Sequence, residues 1–280
     1  MKDKILVFQS DFGLLEGTVS QMYGVSMQVD PTLKMFDLTH NIPQFNTWEA
    51  SYSLYQTCHA WPKETVFVSV VDPGVGSNRK SVVAKTAQGH YIVTPNNKSL
   101  THLNAYVGIV ALREIDETVN RIKGSEKSHI FHGRDVYAYT GARLASGVID
   151  FEGVGPLLSL DEIESYELTP PSLYPDYCTG TLEIVDIHFG MLWSNIPIEY
   201  LEELNVNFND YLDVKIFHKE KEVYHQKVLY GKSFASVKKG DHLIYNNEIG
   251  NLAIATNLGN FAKEHNFNAG VDWTISLKTI

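Results

Sequence analysis

The apolar positions change period along the chain. Ile5 to Phe8 is an unbroken apolar run, the pattern of a strand covered on both faces, and it ends at Ser10-Asp11-Phe12-Gly13. From Thr18 to Val29 the apolar residues fall at helical spacing, with Val19, Met22, Tyr23 and Val25 toward one side. A short strand is predicted over Met35 to Leu38. Asn46-Thr47-Trp48-Glu49 has the form of a capping box, in which Asn46 accepts from a free amide and Glu49 reaches back. The helix it opens runs to about His59 and is closed by Trp61-Pro62. Thr65 to Val71, Ser81 to Lys85 and His90 to Thr94 read as strands, and Asp135 to Ser146 reads as a helix stopped by Gly147.

Alternating strands and helices predict an α/β fold, a mostly parallel sheet with helices on both faces. Ligands of such sheets lie at the carboxyl ends of the strands. Asp11 and Asp72 both follow predicted strands, so both fall where a ligand would sit. The pattern changes at PPSLYPDY, residues 170 to 177, a proline-rich stretch that predicts a linker. Beyond it come short β-like runs: Thr181 to Ile187, Leu212 to Phe217, Glu222 to Leu229, His242 to Tyr245, Leu252 to Thr256 and Val271 to Leu277. Turns of Gly, Asn and Lys separate them, as in a small barrel or sandwich. The expected organisation is an α/β domain over 1–165, a linker over 166–178 and a smaller β domain over 179–280.

A chain of 280 residues is long enough to bury two such cores. Its net charge of -10 repels phosphate backbones, so nucleic acid is not an expected partner. No run approaches the roughly 18 apolar residues of a membrane span, and no basic helix is present for an anionic lipid surface. Cys58 and Cys178 stand far apart with no CxxC motif, so packed, reduced thiols are expected rather than a structural zinc site. MKDKILVFQSD is too short an apolar run for a signal peptide. A cytoplasmic protein without membrane contact is the expectation.

The candidate chemistry sits in four stretches. VDPGVGSNRK, residues 71 to 80, is a glycine-rich turn that begins with a carboxylate. It lacks the Gly-Lys-Ser/Thr of a P-loop, and Arg79 stands where a dinucleotide fingerprint needs its third glycine. It reads either as a site loop or as a tight turn closed by an Asp72–Arg79 ion pair. Asp11 can accept both hydroxyls of a ribose, or can simply serve a turn. His132, before Gly133-Arg134-Asp135, can carry a proton or be a satisfied loop histidine, and Asp135 complements a helix dipole. Asp186-Ile187-His188-Phe189-Gly190, followed by Trp193-Ser194-Asn195-Ile196, offers rings for stacking or for a core. Asp11, Asp37, His40 and Asp72 match no metal-ligand spacing, and there is no HExxH or GxSxG motif.

Together these stretches resemble one family, the S-adenosyl-L-methionine hydrolases (hydroxide adenosyltransferases), relatives of fluorinase and chlorinase. The resemblance is carried, in order, by Ser10-Asp11-Phe12-Gly13, Asp37-Leu38-Thr39-His40, VDPGVGSNRKS, Thr94-Pro95-Asn96-Asn97, Phe131-His132-Gly133-Arg134-Asp135-Val136, the Asp186…Phe189-Gly190…Trp193…Asn195-Ile196 run and GNLAIATNLGN. It implies a C-terminal β-barrel and a homotrimer with each active site between one subunit's first domain and its neighbour's barrel. It implies S-adenosyl-L-methionine as substrate, adenosine and methionine as products, and no cofactor or metal.

Residue roles follow from the same resemblance. Asp72, Arg79 and His132 match the family's water-handling set. Asp11 matches the residue holding the ribose hydroxyls, and Asp186 the one meeting the methionine ammonium. Phe45 and Phe189 match aromatic positions beside the substrate, Glu16 and Thr18 fall in the substrate-binding segment, and Asn251 to Ala253 lie where the adenine is held. The sulfonium makes C5′ electrophilic and leaves as a neutral thioether, so the site must supply an oriented water rather than a general acid. Asp72 and His132 are expected to orient that water and take its proton late. The halide-using relatives carry a tyrosine at the Asp72 position and a serine at the Gly133 position, so this chain favours water. It departs from the family at Glu16 (usually aspartate), Met191 (asparagine), Lys98 (glycine), Tyr137 (another aromatic) and Tyr139 (proline). Two other readings carry distinct tests: a non-catalytic S-adenosylmethionine or nucleoside sensor, which would release its ligand unchanged, and a metal-dependent hydrolase, which a chelator would stop.

Overall fold

The computed structural model describes residues 4–127 and 129–280. The chain forms two compact units, one ending at Tyr166 and one beginning at Glu167.

The first unit runs β1 (Ile5–Ser10), α1 (Thr18–Val29), β2 (Lys34–Thr39), α2 (Thr47–Cys58), β3 (Val66–Val70), β4 (Ser81–Thr86), β5 (Tyr91–Pro95), α3 (Thr101–Tyr106), β6 (Ile109–Glu114), α4 (Tyr139–Ser146) and β7 (Leu157–Leu158). Its sheet has the order β2-β1-β3-β5-β4-β6-β7. The β2-β1-β3-β5 part is parallel, and β4, β6 and β7 extend it antiparallel. β1, β3 and β5 are buried along their whole length because helices cover both faces. Leu6, Phe8, Val66 and Val68 face one core with Met22, Val136 and Ala142, while Ile5, Val7 and Phe67 face the other with Leu54, Cys58 and Leu103. α4 lies flush on the first face: a Cβ on Gly141 would come within 2.4 Å of Val68 Cγ2. That seating fixes where the residues leading into α4 can stand.

The helices begin much as the pattern predicts. Asn46 Oδ1 accepts from the Glu49 backbone N–H at 3.0 Å. The reciprocal half of the box is different: the Asn46 backbone N–H goes to the Pro43 carbonyl, and Glu49 takes the Asn46 side-chain amide at 3.4 Å. The helix expected from Asp135 starts earlier, in a π-type turn over Gly133–Ala138 that runs into α4. Asp135 lies in the first turn of that segment. It is fully buried and accepts from Arg134 Nε at 2.7 Å. The periodicity does not pick out α3, whose six residues span under two turns, and β6 lies in a stretch to which the pattern assigns no element.

The second unit holds β8 (Ser172–Leu173), β9 (Tyr177–Val185), β10 (Leu192–Pro197), α5 (Glu199–Glu203), β11 (Tyr211–His218), β12 (Lys221–Tyr230), β13 (His242–Asn246), β14 (Asn251–Thr256), α6 (Phe261–His265) and β15 (Trp273–Thr279). Pairing runs β10-β14-β13-β12-β11-β15-β9, and β9 pairs again with β10, which closes a seven-stranded barrel. Closure removes the free edges that short strands would otherwise expose. β11 shows the expected alternation, with Leu212, Val214 and Ile216 inside. The proline-rich stretch expected as a linker contains β8, which pairs with β9. The Trp193 segment, read only as aromatic, is the strand β10. Among the described residues no helix is long and apolar enough to cross a membrane.

Candidate active site

The ends of β1 and β3 and the turn before α4 converge on a cleft of about 400 Å³ in the first unit. Asp11, Thr18, Phe45, Asp72, His132 and Gly133 line it, with Phe12, Gln44, Val70, Val75, Ile130 and Phe131. Both carboxylates predicted to follow strands are there, and so is a histidine far along the chain.

A polar chain sets the loop after β1. Ser10 Oγ lies 2.6 Å from His40 Nδ1, and His40 Nε2 lies 3.1 Å from Asp37 Oδ1, which also accepts from the Tyr23 hydroxyl. The Gly13 N–H donates to the His40 carbonyl at 2.8 Å. Both ring nitrogens of His40 are thus engaged in holding the loop, and Asp37 and His40 serve each other. Asp11 Oδ2 accepts from the Phe45 N–H at 2.9 Å. Phe45 has φ 65°, a left-handed conformation uncommon for a bulky residue, and this turn aims its N–H at Asp11 and leaves its ring exposed. Burial raises the Asp11 pKa, although the Phe45 N–H pulls the other way.

The glycine-rich turn is built around Arg79. Its Nε donates to Asp72 Oδ1 at 2.6 Å and its Nη2 donates to Asp72 Oδ2. Nη1 donates to Ser81 Oγ at 3.2 Å, and Ser81 lies 3.1 Å from the Tyr137 hydroxyl. The guanidinium also sits 5.7 Å from the Tyr137 ring centre. The arginine and aspartate side chains are only 9% and 6% exposed. Gly76 has φ 80° and packs where a Cβ would lie 3.1 Å from the His129 carbonyl, so the chain needs glycine at this bend. Gly74 has no such need.

His132 is buried, and its Nδ1 lies 3.4 Å from Arg79 Nη2. Arginine can only donate, so Nδ1 is the acceptor and the neutral ring carries its proton on Nε2. Nε2 is buried without a hydrogen-bond partner in the protein. Burial, reinforced by the Arg79 charge, holds the imidazole pKa below its ordinary value, with Glu117 acting in the opposite sense. In this tautomer the Nε2 proton lies inside the protein, beside the cleft that His132 lines.

The remaining predicted residues fall elsewhere. Glu16 is exposed on the loop before α1 and does not line the cleft. Asp186, Phe189, Asn251 and Ala253 belong to the second unit. Asp186 Oδ1 accepts from the backbone N–H groups of His188 and Phe189, both at 2.9 Å, so one of its oxygens caps a turn. Phe189 is exposed and lines a cavity of about 340 Å³ with Met191, Phe234 and Leu258. Met191 Sδ takes the Tyr245 hydroxyl at 2.9 Å. Ala253 is buried opposite Trp193, and the Asn251 N–H donates to Asn247 Oδ1 at 2.9 Å. Lys98 has φ 77°, a conformation that suits the glycine it replaces. Sequence reasoning missed Ser81 and Tyr137 as supports of Arg79. Ser81 closes the quoted VDPGVGSNRKS stretch, but nothing local connects it to Tyr137.

Comparison with known proteins gives a consistent result. Residues 6–155 match the SAM hydroxide adenosyltransferase N-terminal domain, and residues 180–274 match the C-terminal domain of the same name. An (R)-S-adenosyl-L-methionine hydrolase of Methanocaldococcus jannaschii is 31% identical, over 94% of this chain and 93% of that protein. A fluorinase of an Actinoplanes species is 26% identical over 97% of both chains. The crystal structure of a conserved Thermotoga maritima protein superposes with a TM-score of 0.87 at 32% identity, covering 98% of this chain and 99% of that one.

Proposed function

The chain belongs to the SAM hydroxide adenosyltransferase family, and from that premise we propose that it hydrolyses S-adenosyl-L-methionine to adenosine and L-methionine at the Asp11–Asp72–His132 cleft. The observation that carries the reading is the buried Asp72–Arg79–His132 set, at a cleft that Asp72 and His132 both line.

Asp11 binds the two ribose hydroxyls, its second oxygen being held by the Phe45 N–H. Each Asp72 oxygen accepts one hydrogen bond from Arg79, and a carboxylate has lone pairs for more, so Asp72 also accepts from a water. The His132 Nε2–H donates to the same water and fixes its orientation. The water oxygen bonds to C5′ as the C5′–S bond breaks, and the bonding pair leaves on sulfur. Sulfonium becomes the neutral thioether of methionine, the water's proton passes by way of Asp72 to solvent, and no metal takes part. A negative Asp72 favours water, which becomes cationic during attack, and disfavours a halide nucleophile. Gly133 offers no hydroxyl in its place.

The same reading makes the working unit a homotrimer in which a neighbour's barrel covers the cleft. Phe45 and Ile130, at 65% and 81% exposure, give the cleft an apolar rim that such a cover would bury. The barrel residues Asp186, Phe189, Asn251 and Ala253 then supply the methionine and adenine contacts. Cys58 and Cys178 are free and buried, which fits a cytoplasmic setting.

The test incubates the protein with S-adenosyl-L-methionine in ¹⁸O-labelled water, with and without chelator, beside Asp72→Asn. Adenosine and methionine should form in equal amounts, with the label in the adenosine 5′-hydroxyl. Chelator should change nothing, and Asp72→Asn should abolish turnover. Recovery of intact substrate from a saturable complex would make the protein a binding protein instead.

A further inference from the structure

A second group of chemistry-bearing side chains gathers in the barrel unit. His242 opens β13, and Glu264 and His265 end α6. Each offers one ligand atom, and among the described residues this is the group whose ligand atoms lie within 4.8 Å of one another. We infer that His242, Glu264 and His265 form a site for a zinc-type divalent cation that ties α6 to β13.

The donor set is suitable. Two imidazoles and a carboxylate, with water completing the shell, hold zinc in many proteins, and imidazole donors favour such metals over magnesium or calcium. The supports are also in place. His242 Nδ1 lies 2.7 Å from the Tyr224 hydroxyl, which orients the ring and leaves Nε2 directed at Glu264 Oε2, 3.9 Å away. A hydrogen bond on the far nitrogen is how ligating histidines are usually fixed. Glu264 Oε2 accepts from Thr256 Oγ1 at 2.7 Å and Oε1 accepts from the Asn260 N–H at 2.8 Å, so the carboxylate is held yet keeps lone pairs for an ion.

His265 supplies the observation that asks for a ligand. Its Nε2 is buried and has no hydrogen-bond partner, which is costly for a polar atom. Its ring is wedged between Tyr224, Phe261 and Phe267. Tetrahedral bonds of about 2.0–2.1 Å need the donor atoms closer than they now lie. The Glu264 side chain, 40% exposed, has room to make that movement. No motif announced the site, because one ligand comes from a strand and two from a distant helix.

The experiment strips the full-length protein with chelator, removes the chelator and titrates Zn²⁺ by calorimetry, with Co²⁺ as a spectroscopic probe. One ion should bind per chain, raise the melting temperature and, as Co²⁺, show the visible absorption of a tetrahedral N/O site. Glu264→Gln, a change at the surface that leaves the aromatic packing alone, should abolish stoichiometric uptake while leaving S-adenosyl-L-methionine hydrolysis unchanged. Tyr224→Phe should weaken binding roughly 10–100-fold, as loss of an outer hydrogen bond to a ligating histidine does. Absence of uptake by the unsubstituted protein, or equal uptake by Glu264→Gln, would overturn the assignment.

Discussion

Arg79 grips Asp72 with Nε and Nη2, one nitrogen to each carboxylate oxygen, and the pair is buried. A bidentate guanidinium fixes both the position and the plane of the carboxylate. Removing the cation alone strands a buried negative charge, at a cost of about 3–5 kcal/mol. Arg79→Met should therefore lower unfolding free energy by about 3 kcal/mol in a denaturant titration. Adding Asp72→Asn should restore part of that loss while turnover stays absent. A double variant no more stable than Arg79→Met would show that the stranded charge is not the cause.

His132 gives a pH prediction. The form that accepts from Arg79 at Nδ1 and donates from Nε2 is the neutral ring, and its pKa is lowered. The neutral form therefore persists below the ordinary histidine value, and kcat should fall on the acid side only at pH values under 6.5. His132→Gln, which keeps an N–H donor at the end of the side chain, should retain more turnover than His132→Ala and should lack this acid limb. An acid limb centred above 6.5 would contradict the role given to this ring.

Glu49 offers a stability test. Burial raises its pKa from 4.5 to about 7. The unfolded chain releases this proton near 4.5 and the folded chain near 7, so the folded state is favoured at low pH and loses that advantage as pH rises between the two values. Glu49→Gln removes the titration at nearly constant volume. Relative to the unsubstituted protein it should gain stability from pH 5 to pH 8, by up to about 3 kcal/mol. An unchanging difference across that range would show that Glu49 ionises normally.

The two glycines of the turn after β3 should differ. Gly76, at φ 80° and close to the His129 carbonyl, should lose about 1–2 kcal/mol on change to alanine. Gly74, whose added Cβ would meet Ser77 Oγ at an ordinary 3.4 Å, should accept alanine with no loss. The comparison needs only two melting curves, and a reversed order would refute it.

Gly133 is tight for a different reason. A Cβ there would lie 3.2 and 3.3 Å from Phe12 ring atoms and 3.3 Å from Phe131. Gly133→Ser should cost about 1–3 kcal/mol through overpacking. Phe12→Leu in the same chain should recover part of it. This crowding makes the choice between glycine and serine depend on the neighbouring rings as well as on the nucleophile.

Local patterns in the chain specify most of the elements and the placement of the acidic residues. The spacing from Thr18 to Val29 predicts α1 with its observed bounds, and Asn46 caps α2 as its side chain allows. The unbroken apolar run Ile5 to Phe8 and the strand pattern of Thr65 to Val71 placed Asp11 and Asp72 just beyond strand ends. These signals are local, since periodicity, caps and turn residues act over a few neighbouring positions.

Which distant groups meet is set by packing between elements. Arg79 reaches His132 because α4 seats flush on the sheet at Gly141, and the π-type turn then sets the ring that precedes it. That contact favours the Nε2–H tautomer of His132. Tyr137 supports Arg79 through Ser81 from another element. In the second unit the β9–β10 pairing turned a run of short strands into a closed barrel, a choice the alternation left open. Tertiary packing also brought His242 to Glu264 and His265. Each of these depends on distances between side chains of separate elements, which packing fixes and no local pattern encodes.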